Sequence, residues 1–192
     1  MHSIDFYKNL PRLETERLIL RRYTLEDVND YFDFASDVEV TKFLRWGPHP
    51  NKEYTLEYFK DVIEEYSTGK DSPWGLEHKT GKKLIGSIHI MQLDTYHKKA
   101  QIGFVINREY WHRGYITEAL NKVFEYCFST LQLNRIEALC IAENHVAIRV
   151  VEKVGMKFEG LLRQYAYQKG GFKDFKMFSV LRSDYEAWYN CK

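Results

Sequence analysis

Residues 100–131 read AQIGFVINREYWHRGYITEALNKVFEYCFSTL, a strand, a turn and a helix in succession. Ile102, Phe104 and Ile106 alternate with Gly103 and Val105, which predicts a strand over 100–107 buried on both faces. Trp111 to Tyr115 then turn the chain through Gly114. Ile116, Leu120, Val123, Phe124, Cys127, Phe128 and Leu131 recur at helical spacing and predict a helix with one continuous apolar stripe. The first amides of that helix have no acceptor inside it and carry the positive end of its dipole. A glycine turn leading into such an end is an anion site. Two nucleotide readings drop out, because the chain has no G-x-x-x-x-G-K-[ST] and no G-x-G-x-x-G after a strand. The plain alternative is a strand-to-helix connection that happens to contain a glycine.

Downstream, Arg135–Ile141 reads as a second strand. A strand–helix–strand connection implies a right-handed crossover with the two strands parallel. Asn144 opens another helix, with Ala147, Val150, Val151 and Val154 inward and Gly155 as its stop. Phe158–Tyr167 and Phe172–Leu181 flank Lys169-Gly170-Gly171, a hairpin signature. Residues 184–188 form a short closing helix or tail. Upstream, Trp74–His78 and Leu84–Met91 flank a turn at Lys79–Lys82, and Gly86 inside the second strand predicts a bulge or a close backbone approach. Thr24–Asp27 resembles a capping box for a helix whose face is Val28, Tyr31, Phe32 and Ala35. Leu56, Phe59, Val62, Ile63 and Tyr66 mark a second helix ending near Gly69. Between the two lies the loop Arg45–Pro50, and Glu14–Arg21 reads as the first strand.

With 192 residues the chain makes one domain. Lys+Arg 28 against Asp+Glu 27 leaves a net charge of +1, which gives no electrostatic case for nucleic-acid or membrane-surface binding. Cys127, Cys140 and Cys191 form no disulfide framework and show no metal spacing, so no metal is expected. Neither a signal core nor a membrane-length apolar run is visible, and a cytoplasmic location follows as the expectation.

The turn W-H-R-G-Y-I-T-E-A resembles the pyrophosphate loop of the GNAT acyltransferases, in particular the RimJ/RimL-type N-acetyltransferases. The segment N-H-V-A-I-R-V-V-E-K-V-G-M-K-F-E-G resembles the family's second signature, matching at Asn144, Arg149, Glu152, Lys153, Gly155, Glu159 and Gly160. The opening T-E-R-L-I-L-R is also similar to that of RimJ/RimL-type chains. The resemblance covers residues 14–182, with 1–13 as a lead-in and 183–192 as a C-terminal tail. It implies an α/β (α+β) fold: a mixed, mostly antiparallel sheet with a V-shaped split between its central parallel strands, and helices on both faces.

The implied activity is transfer of acetyl from acetyl-coenzyme A, a co-substrate, to a primary amine. In such a fold, diverging strands expose main-chain groups that an amide-rich pantetheine arm can pair with as a pseudo-strand. The resemblance assigns the arm to Phe104, Val105 and Ile106, with Asn144 on the other side, and the diphosphate to Trp111, His112, Arg113, Gly114, Tyr115, Ile116 and Thr117. A strand N–H near Val105 or Ile106 would stabilise the thioester oxygen as it becomes negative. For Asn144 a plain helix N-cap is the competing reading. The acceptor must be neutral to attack, so a base is needed. Candidates are Glu77 and His89, with Cys140 near the acetyl group and Tyr165 or Tyr167 offering a hydroxyl; for Cys140 and the tyrosines, packing is the alternative. Glu118 is read as structural, in a first helical turn.

The chain departs from the family at Ala147, where a serine is usual; at Ile116, where a small residue is usual; and at Ala166, where one branch has an acid. Trp46 and His49 are candidate substrate contacts, His49 with an ordinary surface loop as the preferred reading. The acceptor is expected to be a protein N-terminal α-amine or a small amine. A non-catalytic acyl-coenzyme A sensor is the alternative, and the resemblance adds a homodimer through the sheet edge or last hairpin.

Overall fold

Apolar alternation and the turn glycines build eight strands: β1 (Leu13–Glu14), β2 (Leu18–Arg21), β3 (Trp74–His78), β4 (Lys83–Asp94), β5 (Lys99–Ile106), β6 (Arg135–Ile141), β7 (Lys157–Gln168) and β8 (Gly171–Leu181). The computed structural model describes residues 3–70 and 72–189, so Cys191 lies outside the described residues. The strands form one sheet in the order β1-β2-β3-β4-β5-β6-β8-β7. Every neighbouring pair is antiparallel except β5 with β6, which are parallel as the crossover requires.

Seven α-helices are described: α1 (Ser3–Lys8), α2 (Val28–Ala35), α3 (Val38–Thr41), α4 (Lys52–Thr68), α5 (Tyr115–Ser129), α6 (His145–Lys153) and α7 (Arg182–Tyr189). Phe6 of α1 and Tyr126 of α5 lie 5.7 and 6.3 Å from the Trp74 ring, so these helices cover one face of the sheet. On the other face Tyr23 stacks on Phe59 of α4 at 4.8 Å and Tyr31 of α2 joins them. Gly69 (φ 77°) ends α4 in the left-handed conformation that glycine adopts without Cβ strain.

Four expectations shift. The lead-in carries a helix whose Phe6 and Tyr7, with Leu10, are buried, and the Tyr7 hydroxyl donates to the Ile90 carbonyl at 2.8 Å. On α2 the buried set is Tyr31, Phe34 and Ala35, the i, i+3, i+4 stripe, and Phe32 is half-buried. His49 is buried rather than on an ordinary surface loop, with Nδ1 2.8 Å from Thr55 Oγ1. Finally, β5 is buried only over Ala100–Ile102; from Gly103 to Ile106 it is half-exposed.

That last difference has a structural cause. β5 and β6 pair from Lys99↔Arg135 to Ile102↔Ala138 and no further. β6 keeps pairing with β8 out to Ile141↔Phe175, and β5 with β4 out to Ile106↔Gly86. The sheet therefore parts between Gly103–Ile106 and Leu139–Ile141.

Candidate active site

The turn after β5 is fixed from three sides. His112 (φ 60°) and Gly114 (φ 78°) take left-handed conformations, and the Glu118 amide closes the first helical turn onto the Gly114 carbonyl at 3.0 Å. Arg17, beside β2, donates through Nη1 to the Arg113 carbonyl (3.0 Å) and through Nε to Glu118 (2.6 Å), and its guanidinium lies 4.2 Å over the Tyr115 ring. Glu118 also accepts from the Arg17 amide and the Thr15 hydroxyl. Burial works to raise the Glu118 pKa, but the bonds from Thr15 and Arg17 together hold it below the ordinary carboxylate value. With the turn so held, none of the amides from His112 to Thr117 donates to a protein acceptor among the described residues.

Which main-chain groups face the split follows from the ladder. The Asn107 amide donates to the Ile85 carbonyl at 2.8 Å. Bonded pairs alternate along an antiparallel ladder, so Gly103 and Val105 turn towards β4 while Phe104 and Ile106 turn towards the gap. Gly86 makes this close approach feasible, since a Cβ there would sit 2.4 Å from the Val105 carbonyl oxygen. The Ile106 carbonyl is taken by the Trp111 indole N–H at 2.9 Å. Across the gap Asn144 caps α6, its Oδ1 accepting from the Ala147 amide at 3.1 Å.

A cavity of about 390 Å³ runs through the split. Its lining includes Phe104, Val105, Leu139, Cys140, Asn144 and Ala147, and also Tyr31, Arg45, Trp46, Tyr58 and His89. Burial pushes the hydroxyls of Tyr31 and Tyr58 up, so both remain protonated donors. Burial also pushes the Cys140 thiol up to about 12, with Glu152 adding to it, which keeps the sulfur neutral near pH 7.

The structure thus brings His89, Cys140, Phe104, Val105 and Asn144 together and leaves two candidates elsewhere. Glu77 is locked to Arg21, which also pairs with Asp27 at 2.7 Å, and it does not line the cavity. Tyr165 lies in the unpaired stretch of β7 between Leu162 and Ala166; it is exposed, packs 5.5 Å from Phe175 and does not line the cavity. Tyr167 is exposed as well, against Phe172. His49 sits behind the cavity wall, 5.2 Å from Trp46 and 5.7 Å from Tyr31, and burial lowers its pKa. Sequence reasoning missed Arg17, Arg45 and Tyr58, and read Tyr31 only as helix packing. No group of three or more His, Cys, Asp or Glu suited to a metal occurs among the described residues.

Residues 17–157 match the model of the acetyltransferase (GNAT) domain, and the chain belongs to that family of acetyltransferases. It is 36% identical over 172 residues to the uncharacterized N-acetyltransferase YoaA of Bacillus subtilis, covering 90% of this chain and 97% of that one. Its fold is similar to a GNAT-family acetyltransferase of Bacillus anthracis, with a TM-score of 0.81 and 25% identity over 90% of this chain and 99% of the other. It is also similar in fold to a spermidine N-acetyltransferase of Vibrio cholerae solved with CoA and spermine, with a TM-score of 0.74 and 22% identity over 90% and 99%.

Proposed function

We propose that the protein moves the acetyl group of acetyl-coenzyme A to a primary amine by direct attack. The observation that carries this reading is the conjunction of unbonded amides at residues 112–117 with a parallel strand pair that stops pairing beyond Ile102 and Ala138. The co-substrate supplies an activated thioester on an amide-rich arm that ends in a diphosphate. The amides of 112–117 hold the diphosphate, with Arg113 adding charge. Phe104 and Ile106 offer main-chain groups to the arm, and their N–H groups are the donors for the oxygen that becomes negative during attack. Asn144 keeps its side-chain amide at the gap while its Oδ1 serves as the cap.

His89 is the candidate base, because it lines the cavity and an amine must lose a proton to become a nucleophile. Cys140 is structural in this scheme: a neutral thiol is a poor nucleophile, and direct transfer needs no covalent intermediate. The acceptor is a protein N-terminal α-amine, following the RimJ/RimL resemblance, or a small amine. A homodimer is supported by the exposed Phe158, Leu161, Tyr167 and Phe172 on the edge hairpin β7–β8. The free Cys127 and Cys140 support a reducing cytoplasm.

The competing sensor reading draws on Ala147 and Ala166, which stand where the RimJ/RimL resemblance implies a serine and, in one branch, an acid. The test is release of free thiol when the protein meets acetyl-coenzyme A and a panel of amines and peptides, beside calorimetry with coenzyme A. Turnover is expected with at least one amine. Tight coenzyme binding without any turnover supports the sensor, and no coenzyme binding overturns both.

A further inference from the structure

The aromatic part of the cavity lining and its one fixed charge point to a kind of acceptor. Tyr31 and Trp46 have ring centroids 6.4 Å apart at 27°, and Tyr31 and Tyr58 5.5 Å apart at 33°. Phe59 and His49 back these rings, at 5.1 and 5.7 Å from Tyr31, so the wall is packed in place. The hairpin β7–β8 is tied to the same region: Lys169 Nζ donates to the Thr41 carbonyl at 2.6 Å and the Lys42 carbonyl at 3.2 Å, just before the segment that carries Arg45 and Trp46, and Gln168 joins the cavity lining. Arg45 is the one lining side chain of fixed charge among the described residues. It is exposed at the mouth, and no described carboxylate lies within ion-pair distance of it.

Resting on the acyl-transfer reading of the same cavity, we infer that its aromatic part takes a primary amine carried on an aromatic or flat apolar body that bears a carboxylate or a phosphate. The rings bury the flat body, and buried apolar area is the non-directional part of the affinity. An unpaired guanidinium matches a planar carboxylate or a phosphate through paired N–H donors. A polyamine has neither part: its second ammonium meets Arg45 as a like charge. Aromatic faces attract cations too, so the sign of the charge beside them decides between these acceptors.

Four amines separate the contributions in the thiol-release assay with the full chain: L-tryptophan, pyridoxamine 5′-phosphate, tryptamine and spermidine. Calorimetry in the presence of coenzyme A ranks the binding of all four if turnover is slow. The expected order places the two aromatic amines that bear a carboxylate or a phosphate, L-tryptophan and pyridoxamine 5′-phosphate, ahead of tryptamine, with spermidine last. Which anionic amine leads tells carboxylate from phosphate. Arg45→Gln should lower kcat/KM, or affinity, for that amine about tenfold, leave tryptamine within twofold, and be partly rescued by Arg45→Lys. Added salt should shrink the Arg45 effect, because the residue is solvent-exposed. Trp46→Ala should weaken both aromatic classes. Spermidine ranking first, or Arg45→Gln weakening tryptamine as much as the anionic amines, overturns this inference. Coenzyme binding with turnover in the wrong order defeats only the acceptor class, whereas absent coenzyme binding defeats the acyl-transfer reading beneath it.

Discussion

Gly86→Ala is the substitution that most directly probes the split. A Cβ at residue 86 would stand 2.4 Å from the Val105 carbonyl oxygen and 2.9 Å from the Ile106 Cα, both main-chain atoms that no rotamer change can move. Restoring ordinary contact requires β4 and β5 to part by about 1 Å. That separation breaks the 2.8 Å bond from the Asn107 amide to the Ile85 carbonyl. Overpacking costs about 1–3 kcal/mol and the lost bond about 0.5–1.5 kcal/mol. For a chain of this size the melting temperature should fall by about 5–15 °C. Phe104 and Ile106 move with β5, so kcat should fall more than the coenzyme KM rises, since the 112–117 turn is untouched. Gly103→Ala is the control: its Cβ meets only the flexible Met91 side chain, the methyl at 2.9 Å and the sulfur at 3.7 Å. Thermal melts and steady-state kinetics on both variants decide it. If Gly86→Ala melts and turns over like the parent, the account of how β4 sets the edge of β5 is wrong.

Three further outcomes are expected. Asn144→Ala should lose the cap, about 1 kcal/mol, and raise the coenzyme KM; Asn144→Asp should keep the cap and the melting temperature but still raise KM, and an unchanged KM there would reduce Asn144 to a helix cap. Arg17→Met should weaken coenzyme A binding severalfold on calorimetry by releasing both the Arg113 carbonyl and Glu118, while Arg12→Met, remote from the turn, should not.

The third outcome concerns pH. Arg135, joined by the Ser179 hydroxyl, holds the Glu159 carboxyl at about 2 against an ordinary 4.5. A depressed folded pKa stabilises above the unfolded value and loses that contribution as pH falls from about 4.5 through about 2. Glu159→Gln should therefore be less stable than the parent at pH 6, by an amount that solvent screening keeps small. The two melting temperatures should converge by pH 2, and a constant gap across that range would refute the linkage.

Local periodicity made the central unit legible. The β5 strand, the Gly114 turn and the α5 stripe are encoded within 32 residues, and the parallel partner β6 followed from the strand–helix–strand connection. Gly86 was readable because a glycine inside a strand has few reasons to be there, and Asn144 because a cap sits beside the helix it starts. What escaped depends on pairs far apart in sequence. Arg17 and Glu118 are 101 residues apart, and Lys169 reaches carbonyls 128 and 127 residues earlier, so no pattern in either neighbourhood announces them. Tyr165 was misleading for a related reason. β7 carries two more residues than β8 between Leu162 and Ala166, so Tyr165 lies in a stretch without a pairing partner, and nothing in its neighbours announces that break. His49 was read as surface because its loop holds two prolines and a glycine; the tyrosines and tryptophan that enclose it come from α2, α4 and the loop itself.

The parting of β5 and β6 leaves two raw strand borders inside the molecule. Such borders on an outer rim invite neighbouring chains to stick, which is why proteins usually shield them. Here they face one another within the fold, with the Trp111 indole already plugging one carbonyl. A crevice of that shape sorts visitors by girth: a slender extended chain can slide between the borders, and a folded neighbour cannot.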